Sequence, residues 1–224
     1  MICINPALDS NAAMPFSIDR PEENLSLAEM TEVAIESLYN EKSDGKGFFI
    51  MIEGGKIDWA CHANDGATVI HEVIDFDNAV GKALAFYERH AKETLVVVTG
   101  DHETGGMSIG HPTTGYLAFY DRLFAQKKSS HSFQTSEWAS HKAVYRAGYV
   151  HTNRGNLLDN GMIGLMAHFF GLTYSTLNDY QKEKLEDAYD KSMCGKNDNS
   201  EAENVFLYGG NEPIRRRKSI NHRY

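Results

Sequence analysis

The sequence predicts an α/β domain built on a mainly parallel sheet flanked by helices. Three features carry the prediction: the run "GFFIMIEGG" at 47–55, the run "TLVVVTG" at 94–100, and a long helical pattern between them. Both runs are apolar on both parities, as expected of strands buried on two faces. Strand, helix, strand in that order gives a right-handed βαβ unit.

The first element is a helix from Leu27 to about Asn40. Leu27, Met30, Ala34 and Leu38 recur on one face, and Ser26 with Glu29 forms a capping box. The first strand closes at Glu53, and Gly54 with Gly55 makes the tight turn after it. A second helix runs from about Gly66 to His90, with Ile70, Val73, Val80, Ala83, Leu84 and Tyr87 as its apolar stripe. The strand at 94–100 follows. After about residue 110 the pattern loosens, and 111–160 is polar, aromatic and punctuated, which predicts an irregular or helical insertion or lid reaching to about 193. Within it, two helices are expected near Met162–Phe170 and Leu177–Ser192. Residues 1–224 are read as one α/β domain with its functional core at about 25–110.

Composition narrows the function classes. A hydrophobic share of 42% and a charged share of 24% are those of an ordinary globular chain. The formal charge of −9 argues against a nucleic-acid partner. An anionic substrate would need local cations to overcome that field, and bound metal ions would provide them. No run of 18 apolar residues spans a membrane. Cys3, Cys61 and Cys194 are too scattered for a disulfide framework or a zinc knuckle. The N-terminus, "MICINPALDS", shows no signal peptide.

In an open α/β sheet, ligands bind beyond the carboxyl ends of the strands. Glu53 closes the first strand, Asp58 and His62 follow at spacing i, i+4, and Asp101 and His102 stand just after the second strand. The pair at i, i+4 shares one face of a helical turn. Asp and His suit zinc, and an additional Glu oxygen suits a harder ion such as magnesium. Taken singly, an Asp-x-x-x-His pair is usually a solvated helix face, and Glu-Gly-Gly says only that the chain turns. The conjunction is far more specific than its parts.

"IEGGKIDWACHANDGATVIHEV" and "LVVVTGDHETGG" together closely resemble the alkaline phosphatases, the two-zinc, one-magnesium phosphomonoesterases. The resemblance covers about residues 25–110. It implies a doubly wound α/β fold, phosphate monoester substrates, an alkaline optimum, a homodimer, and a periplasmic or secreted location. It implies that Glu53 binds Mg2+, that Asp58 and His62 bind one Zn2+, and that Asp101 and His102 bind the other.

The family's nucleophilic serine lies in an Asp-Ser-Ala-like turn far upstream of the Glu-Gly-Gly strand, and no such serine is evident here. "LDSNAA" at 8–13 offers Asp9 and Ser10, but in a Pro-bounded loop that reads as surface. The family's third zinc histidine sits in a His-Thr-Gly context, and His151 in "YVHTNRG" is its candidate, with a loop histidine as the plain reading. His131, His141 and His168 read as surface or packing residues. The ends read as cut, and 215–224, where five of ten residues are Lys or Arg, as an atypical basic end. The expectation is therefore a portion of a phosphatase that carries half of a metal site and is inactive alone. Two alternatives are a non-catalytic divalent-metal-binding remnant or interaction module, and a related phosphodiesterase or phosphomutase.

Overall fold

The computed structural model describes residues 4–39, 46–104, 116–149 and 158–194. Helices dominate these residues. α1 spans Leu27–Leu38, α2 Gly55–His62 and α3 Gly66–Arg89. A bent helix follows, made of α4 (Ser130–Phe133), a π-helical turn (Gln134–Trp138) and α5 (Ala139–Tyr145). α6 spans Asn160–Phe170 and α7 Asp179–Cys194. The four long helices fall where the sequence places them. The Ser26–Glu29 capping box forms in full, with the Ser26 side chain accepting from the Glu29 amide and Glu29 accepting from the Ser26 amide. No described helix is long and apolar enough to cross a membrane.

The two expected strands differ from the reading. Among the described residues no strand is assigned, and neither 47–54 nor 94–100 enters a ladder. A strand exists only through hydrogen bonds to a neighbour, and neither run has one among the described residues. In the first run exposure still alternates: Phe48, Ile50 and Ile52 are half-buried while Phe49 and Met51 face out. That is the period of an extended chain lying on one side against a support. Part of the support is Phe86 of α3, whose ring centroid lies 5.8 Å from that of Phe48.

α3 packs on α1 through a face other than its expected stripe. Its buried residues are Ala67, Thr68, Glu72, Asp75, Ala79 and Phe86, whereas Val73, Leu84 and Tyr87 are exposed. Polar groups on this face are all engaged. Arg20 donates to both oxygens of Asp75, at 2.8 and 2.9 Å. Glu72 accepts from the backbone amide and hydroxyl of Ser17. Burial pushes the Glu72 carboxyl above its ordinary 4.5, and the two Ser17 donors offset that only in part. A carboxyl raised in the folded state stabilises most below its ordinary value and loses that contribution as pH rises through the raised one. The stability of Glu72→Gln relative to wild type is therefore expected to improve as pH climbs above 4.5, checked by urea titrations across that range.

An apolar cluster of described residues lies in the C-terminal helices. Phe133, Trp138, Leu158, Met162, Met166, Ala188, Tyr189 and Met193 bury one another. His141 lies beside this cluster, stacked on Trp138 and Tyr145 and bound through Nε2 to Asp159 at 2.9 Å. Burial alone would raise the Asp159 carboxyl, but Tyr189, the Met162 amide and His141 together bring it below its ordinary value. Gly171 ends α6 at φ 65°, and a Cβ there would meet the Ala125 Cβ at 2.3 Å, so both conformation and space require glycine.

Two carboxylates, the buried Asp65 at the start of α3 and the half-buried Asp19 in the turn at Ser17–Asp19, fasten the bent helix to the N-terminal half. Asp65 caps α3 by accepting from the Thr68 amide at 3.1 Å and hydroxyl at 2.7 Å. It also accepts from the amide and hydroxyl of Ser130, each at 2.8 Å, and from Gln126 Nε2 at 2.8 Å. Asp19 takes the amide and hydroxyl of Ser129 and the hydroxyl of Ser132. The start of the bent helix is thus capped from outside its own sequence.

Candidate metal centre

The turn between the first apolar run and α2 is tight because two glycines allow it. A Cβ on Gly54 would lie 2.9 Å from Phe76 of α3 and 3.0 Å from Ile57. A Cβ on Gly55 would lie 3.2 Å from Glu53 Oε1, so the Glu53 carboxylate folds back over the turn. Lys56, buried just inside α2, holds the helix in place. It pairs with Asp9 and lies over the Trp59 ring at 3.8 Å and the Phe16 ring at 4.6 Å. The sequence reading missed this anchor, although a lysine directly after Gly-Gly in the motif was visible.

α2 then sets Asp58 and His62 one turn apart, with His62 Nε2 3.3 Å from Asp58 Oδ1. His102, just beyond the second run, brings its Nε2 to 3.9 Å from the same oxygen and 3.8 Å from Asp101 Oδ2. Four of the five residues expected at the strand ends therefore meet on one rim. Asp58 lies between the two histidines rather than with His62 alone. The Glu53 carboxylate stays beside Gly55, and His151 lies outside the described residues.

Hydrogen bonding orients this rim. His102 Nδ1 lies 3.1 Å from the Glu103 carbonyl, which can only accept, so Nδ1 carries the proton and neutral His102 presents a lone pair at Nε2. The His102 amide donates to Asp101 Oδ1 at 3.0 Å. The Glu103 carbonyl, then Asp101 and Asp58, hold the exposed imidazole above its ordinary pKa. Asp58 Oδ1 itself is inaccessible to solvent and accepts no hydrogen bond. A carboxylate oxygen in that state is costly unless a cation meets it.

The residue types on this rim, Asp and His, are those that ligate zinc. Ligand atoms about 2.0–2.2 Å from zinc in tetrahedral geometry stand about 3.4 Å from one another, close to the 3.3–3.9 Å separations found here. Among the described residues no three such donors yet enclose a common point, so the arrangement is an open rim. Glu53, with its carboxylate apart from the histidines, offers the all-oxygen chemistry of a harder ion.

Ser10, the serine of the Asp-Ser pair near the N-terminus, lies elsewhere. Its Oγ is 3.2 Å from His131 Nε2, and Asp9 beside it is taken up by Lys56. His131 and Asp65 line a small cavity of about 80 Å³ together with Phe16, Trp59 and Ser130. His168 packs edge-on against Phe169, and His141 is held in the Asp159–Tyr189 network.

Comparison with known proteins places this geometry in context. A family model described as alkaline phosphatase matches residues 8–208. The chain is 37% identical over 146 residues to the repressible alkaline phosphatase of Saccharomyces cerevisiae, a match covering 63% of this chain and 25% of that protein. It is 45% identical over 103 residues to alkaline phosphatase 3 of Bacillus subtilis, covering 46% of this chain and 21% of the relative. The crystal structure of a cold-active alkaline phosphatase from the psychrophile Shewanella sp. superposes with a TM-score of 0.57 at 28% identity, over 87% of this chain and 40% of that one. The chain thus matches about a quarter or less of the length of these curated relatives.

Proposed function

The chain belongs to the alkaline phosphatase family, and from that premise we propose that it supplies one wall of the metal centre of a metal-dependent phosphate monoesterase. The observation that carries the reading is Asp58 Oδ1, inaccessible to solvent and accepting no hydrogen bond, between the Nε2 atoms of His62 and His102. Asp58, His62, Asp101 and His102 would hold zinc, and Glu53 magnesium. Bound there, such ions would neutralise phosphate oxygens and acidify a water.

The chain's own residues do the positioning. The Glu103 carbonyl keeps the His102 lone pair on Nε2, and the Lys56–Asp9 pair sets the start of α2. Gly54 lets the turn lie against α3. The same reading carries phosphate monoesters as substrates, a homodimer, a periplasmic or secreted location and a doubly wound sheet in the assembled enzyme. It leaves Ser10 outside the chemistry, because its hydroxyl is bonded to His131 and its neighbour Asp9 is neutralised. With no nucleophile beside the rim among the described residues, the 224-residue chain is proposed to bind metal and turn over little or nothing. The open rim also favours a second reading, a divalent-metal-binding module without turnover of its own.

The test is zinc stoichiometry by elemental analysis, combined with hydrolysis of an aryl phosphate by the purified chain at alkaline pH. Bound zinc without turnover is expected. A chain that takes up no zinc would sink the metal-site reading, and family-level turnover would sink the proposed inactivity. Turnover lost in Ser10→Ala would return that serine to the chemistry.

A further inference from the structure

The Asp-Ser turn near the N-terminus takes no part in the chemistry proposed above, yet it is firmly held. Two buried asparagines close its base by pairing with the backbone in both directions. Asn5 donates to the Leu25 carbonyl at 3.0 Å and accepts from the Leu25 amide at 2.9 Å. Asn24 does the same for Ala7, at 2.7 and 3.0 Å. At the tip, Asp9 Oδ1 accepts from the amides of Asn11 and Ala13, at 2.8 and 3.0 Å. The Asp9 amide donates to the Ala13 carbonyl at 2.8 Å, and Ala12 takes φ 57°, a region that residues with a Cβ rarely enter. These bonds orient the remaining oxygen, Oδ2, which receives Lys56.

Lys56 is the second residue of α2, a helix of 8 residues whose N-cap, Gly54, makes no side-chain bond. So short a helix has little stability of its own, and tertiary contacts set its position. At about 100° per residue, Lys56, Trp59 and Ala60 share one side of α2, and Asp58 and His62 share the other. The first side faces the N-terminal loop: Lys56 Nζ lies over the Phe16 and Trp59 rings, and Trp59 and Ala60 line the small cavity with Phe16 and His131. The second side carries the rim, with Asp58 Oδ1 3.3 Å from His62 Nε2 and 3.9 Å from His102 Nε2. Lys56 therefore acts on the metal ligands only through the helix it shares with them. We propose that Asp9 and Lys56 are positioning residues of the metal centre, the fixed carboxylate setting the rotation of α2 and with it the place of Asp58 relative to His102. The proposal rests on the metal-site reading above and gives the Asp-Ser turn a role in building the site, outside the reaction itself. Ser10, 3.2 Å from His131 Nε2, joins the same turn to α4.

The experiment compares the full chain with Asp9→Asn, Lys56→Met, their combination, and Lys56→Arg. Competition with a chromophoric chelator reads zinc affinity, and hydrogen exchange of the metal-free chain reads the amides of 55–62. The combined variant removes both charges and leaves no buried ion unpaired, so its melting temperature should stay near that of wild type. Its zinc affinity should still fall about tenfold, and exchange over 55–62 should quicken by a similar factor while α3 is unchanged. Each single variant should lose at least as much affinity as the combination, since the two residues act as a unit. Lys56→Arg, which can still meet the Asp9 carboxylate, should retain most of the affinity. Lys82→Met, which breaks the exposed pair with Glu32, should change neither readout.

Wild-type zinc affinity in the combined variant overturns the proposal, as does unchanged exchange over 55–62. A loss of affinity matched by a fall in melting temperature, or one that Lys56→Arg shares in full, makes the pair a support of the fold alone and also overturns it. A chain that takes up no zinc in any form sinks the metal-site reading. Faster exchange over 55–62 in the combined variant would then still uphold the pair's hold on α2, so the two readings fail separately.

Discussion

Asp58→Asn is expected to lower the zinc affinity of the chain at least about a hundredfold, because loss of even a supporting partner of a ligand costs about 10–100-fold. The substitution keeps the shape of the side chain and removes its charge. Asp58 Oδ1 accepts no hydrogen bond and within α2 faces only the exposed His62, so far-UV circular dichroism should change little. His102→Ala should cause a comparable loss by removing the Nε2 that faces both Asp58 and Asp101. His90→Ala, in the aromatic cluster with Tyr39 and Phe86, should leave zinc affinity as it is. Competition with a chromophoric chelator measures all three. Unaltered affinity in Asp58→Asn would mean that the rim is not the metal site.

The second large effect is on stability. Asp65→Ala removes an acceptor that serves the Thr68 and Ser130 amides, their hydroxyls and the Gln126 amide. The N-terminus of α3 would lose its cap and the first turn of α4 an outside acceptor, and the freed donors lie where water has little access. The cost should be about 3–5 kcal/mol, well above the ~1 kcal/mol typical of a single cap. Urea unfolding measures it, and a loss below about 1 kcal/mol would show that the donors find other acceptors. Because Asp65 joins α3 to α4, the loss should also appear as faster hydrogen exchange over 129–133.

The sequence made the helices legible because their signals are local. A capping box at Ser26 and Glu29 and apolar periodicity in α1 and α6 lie within a few turns of each other. The rim residues were legible for the same reason: Asp58 and His62 are one turn apart, and Asp101 adjoins His102. What stayed hidden depends on distance along the chain. Nothing near Asp19 announces that it will bind Ser129, 110 residues on, and nothing near Asp65 announces Ser130. The buried face of α3 was misjudged because apolar residues occur on more than one side of that helix. Packing on α1 and the pairs at Glu72 and Asp75 selected a different side from Val73 and Leu84. The runs at 47–54 and 94–100 have strand composition, but a strand is a relation between two segments, and composition describes only one of them.

The π-helical turn at Gln134–Trp138 has a consequence for chain length. Such a turn takes up one residue more than an α-helical turn, so everything after it is rotated by about 100° relative to a continuous α-helix. That offset sets the register in which one helix offers Ser130 to Asp65, buries Phe133 and Trp138 in the same cluster and brings His141 to Asp159. Deleting any one residue from 134–138 would leave the composition almost unchanged and make the helix regular. It would also turn His141 away from Asp159, so in this stretch length is a constraint in its own right, beside the buried Trp138.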